Sequence, residues 1–196
     1  MLDIFASAGG LILLAPLFAA IAVWIRLDSS GPVFFRQERV GRGGLAFRIH
    51  KFRTMLSAPA DTAARDITIG ADPRITRAGA FLRRHKLDEL PQLIDVLFGD
   101  MSLVGPRPEV PHYVATYPDA IRAKVLSVRP GITDPASLQF RNESELLARA
   151  ADPEREYREV VLPAKLRLAV DYVEHATLAG DLRVLGLTVR MLLLSR

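Results

Sequence analysis

The 196-residue chain has no cysteine. That excludes a disulfide-stapled scaffold, a thiolate zinc site and a cysteine nucleophile, and it fits a reducing compartment. Its four histidines, His50, His85, His112 and His175, show no ligand spacing. Each therefore reads as a structural or surface residue rather than a metal ligand. There is no internal repeat, no low-complexity tract and no nucleic-acid-recognition motif. Met1-Leu2-Asp3, ahead of the first apolar run, contains no Lys or Arg. With the length of that run, this argues against a secretory signal peptide.

What is present is apolar and basic. Hydrophobic residues make up 49% of the chain, ample for one core, so the length suits one domain or one domain plus an anchor. The net charge is +4, and it is clustered. Arg26 to Arg53 holds seven Lys/Arg against Asp28 and Glu38, a local +5, and Arg74 to Lys86 adds five cations with no acid. Such clusters suit phosphates, nucleic acid or an anionic membrane face.

Ile4 to Ile25 is a run of 22 residues without a charge. As one helix it would reach about 33 Å, enough to cross a hydrocarbon layer of ~30 Å. Trp24 stands at its end, where an interface aromatic would, and the basic residues follow, placing the rest of the chain in the cytoplasm. Pro16 falls mid-run and collides with the Ile12 carbonyl, so a kink is expected there. A kinked helix can cross, or turn back and leave by the face it entered. A buried core helix is the remaining alternative.

Val33-Phe34-Phe35 and Phe47-Arg48-Ile49-His50 read as short strands around a glycine-rich turn, a β-hairpin. Lys51 and Arg53 follow, two residues apart and on one face of an extended chain, either as phosphate ligands or as a solvated face. Ser57 to Gly70 reads as a surface loop. Asp72 to Thr76 reads as a turn into a helix that delivers Arg83, Arg84 and Lys86 to the stretch Lys86-Leu87-Asp88-Glu89-Leu90-Pro91-Gln92-Leu93. Pro91 fits only the first turn of a helix ending at Gly99, which places Asp88 at or near its N-cap. There the helix dipole would keep a carboxylate ionised, and the free N–H groups would accept a phosphate. Asp88 is then either a plain cap or a nucleophile toward phosphorus. Arg107, between Pro106 and Pro108, sits on a stiff turn and matches phosphate oxygens bidentately.

The ordered set of an apolar segment, KFRTM (51–55), DPRIT (72–76), LDELPQL (87–93), GDMSLVGPRP (99–108) and RPGIT (129–133) resembles the bacterial sugar transferases, the monotopic phosphoglycosyl transferases. The resemblance covers nearly the whole chain, which looks like the minimal catalytic unit of larger members. It implies transfer of a phosphosugar from a UDP-sugar to a polyprenol phosphate such as undecaprenyl phosphate, with Mg²⁺ and release of UMP. It makes Asp88 the nucleophile of a covalent intermediate and Glu89 its partner in metal binding or proton transfer, with both carboxylates candidates for the metal. Arg83 and Arg107 match arginines near the phosphate site; Lys51, Arg53, Arg74, Arg129 and Arg141 are further substrate-binding candidates.

The implied fold is α+β, mostly helical with a small β-hairpin and interfacial amphipathic helices. Residues 1–27 would form a re-entrant helix–break–helix at Pro16, and 28–196 a catalytic domain on the cytoplasmic face of the bacterial inner membrane. A homo-oligomer is left open. There are two departures from the pattern: Ala15 stands where a serine precedes the break proline, and the Gly-Trp-Ala run that follows RPGIT is missing from Asp134 to Asn142, where only Arg141-Asn142 match the end of that motif. A membrane-anchored module that binds nucleotide sugar or lipid phosphate without turnover is the alternative function. Glu143 to Glu159 reads as a solvated helical face. Thr177 to Leu194 reads as an amphipathic helix, striped by Leu178, Leu182, Leu185, Val189 and Leu192, either at a membrane interface or on the core.

Overall fold

A computed structural model describes residues 2–56 and 72–194; the loop read over Ser57 to Gly70 lies outside the described residues. Helices dominate. The first, α1 (Leu2–Asp28), is helical throughout, with Pro16 inside it. The separation into two helices at Pro16 is therefore not what the structure has. A proline deletes one hydrogen bond of the ladder, and the bonds on either side keep the segment helical. Only Ser7, Ile21 and Ile25 of α1 are buried. Ile21 and Ile25 pack with Phe52 and Leu82, flanked by Phe18, Val33 and Leu87. Phe5, Ile12, Leu13, Val23 and Leu27 face outward.

The hairpin is present and longer than the sequence suggested. Strands β1 (Phe34–Val40) and β2 (Ala46–Phe52) pair antiparallel from Phe34↔Phe52 to Val40↔Ala46. Their turn uses Gly43 and Gly44 at φ 68° and 81°, a region open chiefly to glycine. The Asp72–Thr76 turn leads into α2 (Arg77–Arg84) as read, with the Thr76 hydroxyl accepting from Gly79 N at 2.9 Å. The Asp28 carboxylate, at the end of α1, accepts from Ala78 N at 2.9 Å. Thus α1 caps α2.

A 3-10 turn, Leu87–Glu89, precedes α3 (Gln92–Phe98), which stops at Gly99 with φ 87°. Pro91, not Asp88, occupies the N-cap position, and Asp88 makes no capping hydrogen bond. The extra turn arises because Lys86 reverses the backbone ahead of Leu87, so the carboxylates leave the chain before the α-helix begins.

Strands β3 (Ser102–Val104) and β4 (Gly131–Thr133) pair in parallel, joined through α4 (Pro111–Val114) and α5 (Asp119–Val125). They approach so closely that a Cβ on Gly131 would fall on the Gly105 backbone. Next come α6 (Pro135–Gln139), α7 (Glu143–Ala148), α8 (Pro153–Glu156), a π-helical turn over Tyr157–Val161 and α9 (Leu162–His175). Glu143 to Glu159 is thus broken into pieces, and it buries Leu147 and Tyr157 in the main core with Tyr113, Val114, Leu162 and Leu166. The last helix, α10 (Leu178–Leu194), is tied down by Thr188 to Thr133 at 2.8 Å and by Asp181 to the Tyr172 hydroxyl at 2.8 Å. Its Leu178, Leu182 and Val189 remain exposed.

Candidate active site

Three elements converge on Glu89. Lys51, from β2, donates to Glu89 Oε1 at 2.9 Å. Arg107, from the turn after β3, donates Nη1 to Oε2 at 3.0 Å and Nη2 to Oε1. This is the two-pronged geometry that a guanidinium makes with a carboxylate. Burial alone would raise the Glu89 pKa, but the charges and hydrogen bonds of Arg107 and Lys51 outweigh it and hold the carboxyl well below its ordinary range. Glu89 in turn raises the pKa of Arg107. Lys51 is shifted down by burial, against the pull of Glu89.

Asp88 has the opposite surroundings. Its Oδ1 is buried and has no hydrogen-bond partner among the described residues. Burial, then the adjacent Glu89 charge, pushes its pKa up, while Lys51, Lys86 and Arg83 act against the rise. The helix-dipole stabilisation inferred from sequence is replaced by desolvation and a like-charge neighbour. A buried carboxylate oxygen without a partner is costly to keep, and an approaching electrophile or cation would satisfy it.

The Arg107 turn is braced on both sides. Gly105 N donates to Thr133 O at 3.1 Å and Gly131 N to Pro106 O at 3.0 Å. Arg107 N donates to Asp134 Oδ2 at 3.3 Å, and Asp134 Oδ1 accepts from Ser137 N at 2.7 Å, capping α6. On the far side, Glu109 accepts from the Tyr157 hydroxyl at 2.7 Å and meets Arg39 at 3.4 Å and Lys165 at 3.6 Å. None of Asp134, Glu109, Tyr157, Lys165 or Arg39 was selected from sequence as a site residue. Glu109, two residues beyond Arg107, carried a local signal; Tyr157 and Lys165 carried none, because their contacts are made only in the folded chain.

Other residues selected from sequence lie elsewhere. Arg53 is buried against the end of α1, donating to Ser30 O and Ser29 O at 2.7 Å each. It locks α1 to the hairpin and does not share Lys51's contact with Glu89. Arg74 is paired with Asp72, whose carboxyl its hydrogen bonds hold down to about 2. Arg129 reaches Asp3 at 3.4 Å. Arg141 is half-buried between α6 and α7. His50 straps β2 to α3 through Asp95, ring to Oδ1 at 2.6 Å and backbone N to Oδ2 at 2.8 Å.

Among the described residues no cluster of three or more potential metal ligands occurs. Mg²⁺ commonly takes only one or two carboxylates and fills its shell with water and substrate phosphate. The orphaned Asp88 Oδ1 fits that role as a hard donor, whereas both Glu89 oxygens are already bonded to cations.

The family model for bacterial sugar transferase matches residues 1–195, and the chain belongs to that family. It is similar to the UDP-glucose:undecaprenyl-phosphate glucose-1-phosphate transferase of Caulobacter vibrioides, 37% identical over 205 residues, covering 98% of this chain and 68% of that protein. It is also similar to the protein of the same description from Escherichia coli K12, 36% identical over 182 residues, 91% of this chain and 36% of the relative. The exopolysaccharide production protein PSS of Rhizobium leguminosarum bv. phaseoli is 50% identical over 105 residues, 54% of this chain and 52% of the relative. The chain thus spans about half or less of the length of the last two.

Proposed function

We propose that this chain is a phosphoglycosyl transferase that moves a phosphosugar from a UDP-sugar to a polyprenol phosphate, of the undecaprenyl type named for its relatives. The observation that carries the reading is the division of labour between adjacent carboxylates: Glu89 is saturated by Lys51 and Arg107, while Asp88 keeps a buried oxygen without a partner.

In this reading Asp88 attacks the sugar-linked phosphorus. A bond from its carboxylate oxygen to phosphorus forms, the bond to the bridging oxygen breaks, and UMP leaves with that oxygen. An oxygen of the lipid phosphate then attacks the same phosphorus and frees Asp88. Attack by an anion on a polyanion needs cations nearby, and such electrostatic stabilisation dominates phosphoryl transfer. Lys51, Arg83, Lys86 and Arg107 provide it around the carboxylates. Of the two carboxylates expected to hold Mg²⁺, Asp88 would do so through its unbonded Oδ1, Glu89 being occupied by Lys51 and Arg107, and the ion would neutralise diphosphate charge.

The same reading makes the chain monotopic at the cytoplasmic face of the bacterial inner membrane, with 1–27 embedded and 28–196 catalytic. Both ends of α1 hold the same domain: Asp3 accepts from the Ser102 hydroxyl at 2.8 Å, and Asp28 from Ala78 N at 2.9 Å. In this reading the 27-residue helix, about 40 Å long if straight, runs along the domain between those two attachments rather than away from it. Its apolar outer face is then left to lipid. Leu87, next to Asp88, packs against the cluster that Ile21 and Ile25 of α1 form with Phe52 and Leu82, which in this reading brings Asp88 within reach of a lipid headgroup.

The test is UMP release from a panel of UDP-sugars, with polyprenol phosphate and Mg²⁺ in detergent or lipid. Release with at least one sugar, and a labelled protein adduct when the lipid is omitted, supports the reading. Tight binding without release or adduct would make the chain a binding module instead.

A further inference from the structure

Lys86 is the only non-glycine residue with positive φ among the described residues, at φ 54° and ψ 24°. A side chain with a Cβ resists that conformation; glycine enters it freely and asparagine tolerates it. The reversal itself is structural. It ends α2, with Lys86 N donating to Arg83 O at 3.2 Å, and it starts the turn that carries Asp88. Glycine or asparagine would make the same reversal with less strain, so the backbone does not account for a lysine. Strain held beside a reactive group points to use of the side chain.

The side chain is available for use. Lys86 is exposed, and its ammonium makes no hydrogen bond or ion pair with any described residue. The cations nearest the carboxylates are otherwise engaged: Lys51 and Arg107 are both bound to Glu89. Lys86 nonetheless stands close enough for its charge to act on Asp88. One residue back, His85 stacks on Phe81 at 4.2 Å, and Phe81 meets Trp24 of α1 at 5.3 Å. The turn that carries Lys86 is thus tied through these rings to the apolar helix.

We infer that Lys86 is a phosphate-binding residue of the active site, its ammonium taking an oxygen of the phosphate that docks against Asp88. The inference rests on the phosphosugar-transfer reading above. The phosphate has two sources, the diphosphate of the nucleotide sugar and the monophosphate of the lipid acceptor.

Three variants of the full chain test it beside wild type: Lys86→Asn, Lys86→Gly and Lys86→Arg. Two measurements are made on each, steady-state turnover with either substrate varied and equilibrium binding of UDP-sugar and polyprenol phosphate without turnover. Lys86→Asn and Lys86→Gly should melt at or above the wild-type temperature, because the strain is relieved. Their kcat/KM should nevertheless fall on the order of tenfold to a hundredfold, as befits a lost charge-assisted contact. Lys86→Arg should recover most of it. The substrate whose KM and Kd rise identifies the source of the phosphate. Wild-type kinetics and affinity in Lys86→Asn would overturn the inference, as would a loss in Lys86→Asn that Lys86→Arg shares in full. Absence of turnover in wild type would sink the transferase reading alone, because the binding comparison still judges Lys86.

Discussion

Asp88 and Glu89 are consecutive carboxylates whose surroundings push their proton affinities in opposite directions, up for Asp88 and down for Glu89. Glu89 owes its low pKa to Arg107 and Lys51, which overcome its burial. Asp88, one residue earlier, is buried without a matching partner and feels the Glu89 charge. Splitting a carboxylate pair in this way assigns the two members different work. Glu89 is tied to the two cations, and Asp88 keeps an unpartnered oxygen, the one the proposed attack on phosphorus would use.

Asp88→Asn should abolish UMP release, by at least ~10³-fold, since an amide is a far poorer nucleophile toward phosphorus. It should also stabilise the fold at neutral pH. An acid whose folded pKa lies above its unfolded value of 3.8 binds its proton more tightly when folded. Wild-type stability therefore declines as pH rises from the unfolded value through the folded one. Asn cannot titrate, so the variant's advantage in melting temperature should be present near pH 7 and vanish below about pH 4. Equal melting curves at both pH values, with full activity, would return Asp88 to a bystander role. For the same reason wild-type kcat should fall on acidification through the raised Asp88 pKa.

Glu89→Gln acts in the other direction. It leaves Lys51 and Arg107 facing an amide, two largely buried cations without a counter-charge. Breaking a buried pair from one side costs about 3–5 kcal/mol; this site is partly open, so about 2 kcal/mol is expected. Glu89 has a folded pKa below its unfolded value of 4.5, so its stabilisation is complete above that value and is lost as pH falls through the folded one. Denaturation of both proteins across pH 3–8 checks this. The gap should be full at neutral pH and close only in acid. A gap that widened in acid would contradict the pairing.

How much of this was legible in the sequence depends on how far apart the partners lie. The hairpin, the Thr76-capped helix and the stop at Gly99 rest on neighbours within a few residues, and they are where the pattern placed them. Asp88 was misplaced by one short turn. Pro91 correctly marked a helix start, but nothing in the residue types announced that Lys86 would adopt a left-handed backbone. Arg53 misled for another reason. It sits two residues from Lys51, yet the strand ends at Phe52 and the guanidinium goes to the carbonyls of Ser29 and Ser30. The Glu109 network was invisible because Tyr157 lies 48 residues away and is brought back by the π-helical turn.

Tyr157→Phe removes one hydroxyl from Glu109 and leaves the ring in the core. A loss of about 1 kcal/mol of stability is expected for one hydrogen bond. If Glu109 steadies the Arg107 turn, kcat/KM should also fall severalfold, and the loss should disappear when Arg107 is already lysine. That non-additivity is the signature of residues acting through one another. Independent, additive losses in the double variant would confine Tyr157 to the core.

Topology can be tested cleanly because the chain has no cysteine of its own. Asp3 ties the start of α1 to Ser102, Leu103 and Arg129, and Asp28 ties its end to α2. A helix crossing the bilayer would carry Asp3 some 30 Å from the domain and break all of these bonds. Single cysteines at Leu2 and Asn142 should therefore both resist a membrane-impermeant thiol reagent applied to intact cells, and both react after lysis. Labelling of Leu2→Cys alone from outside would establish a spanning helix. Asp3→Ala offers an independent check. It should loosen the start of α1, seen as faster amide exchange over residues 2–10, while exchange near Asp28 stays unchanged. Faster exchange at both ends would mean that α1 leaves the domain as one unit, and the two attachments would then have to be cooperative rather than separate.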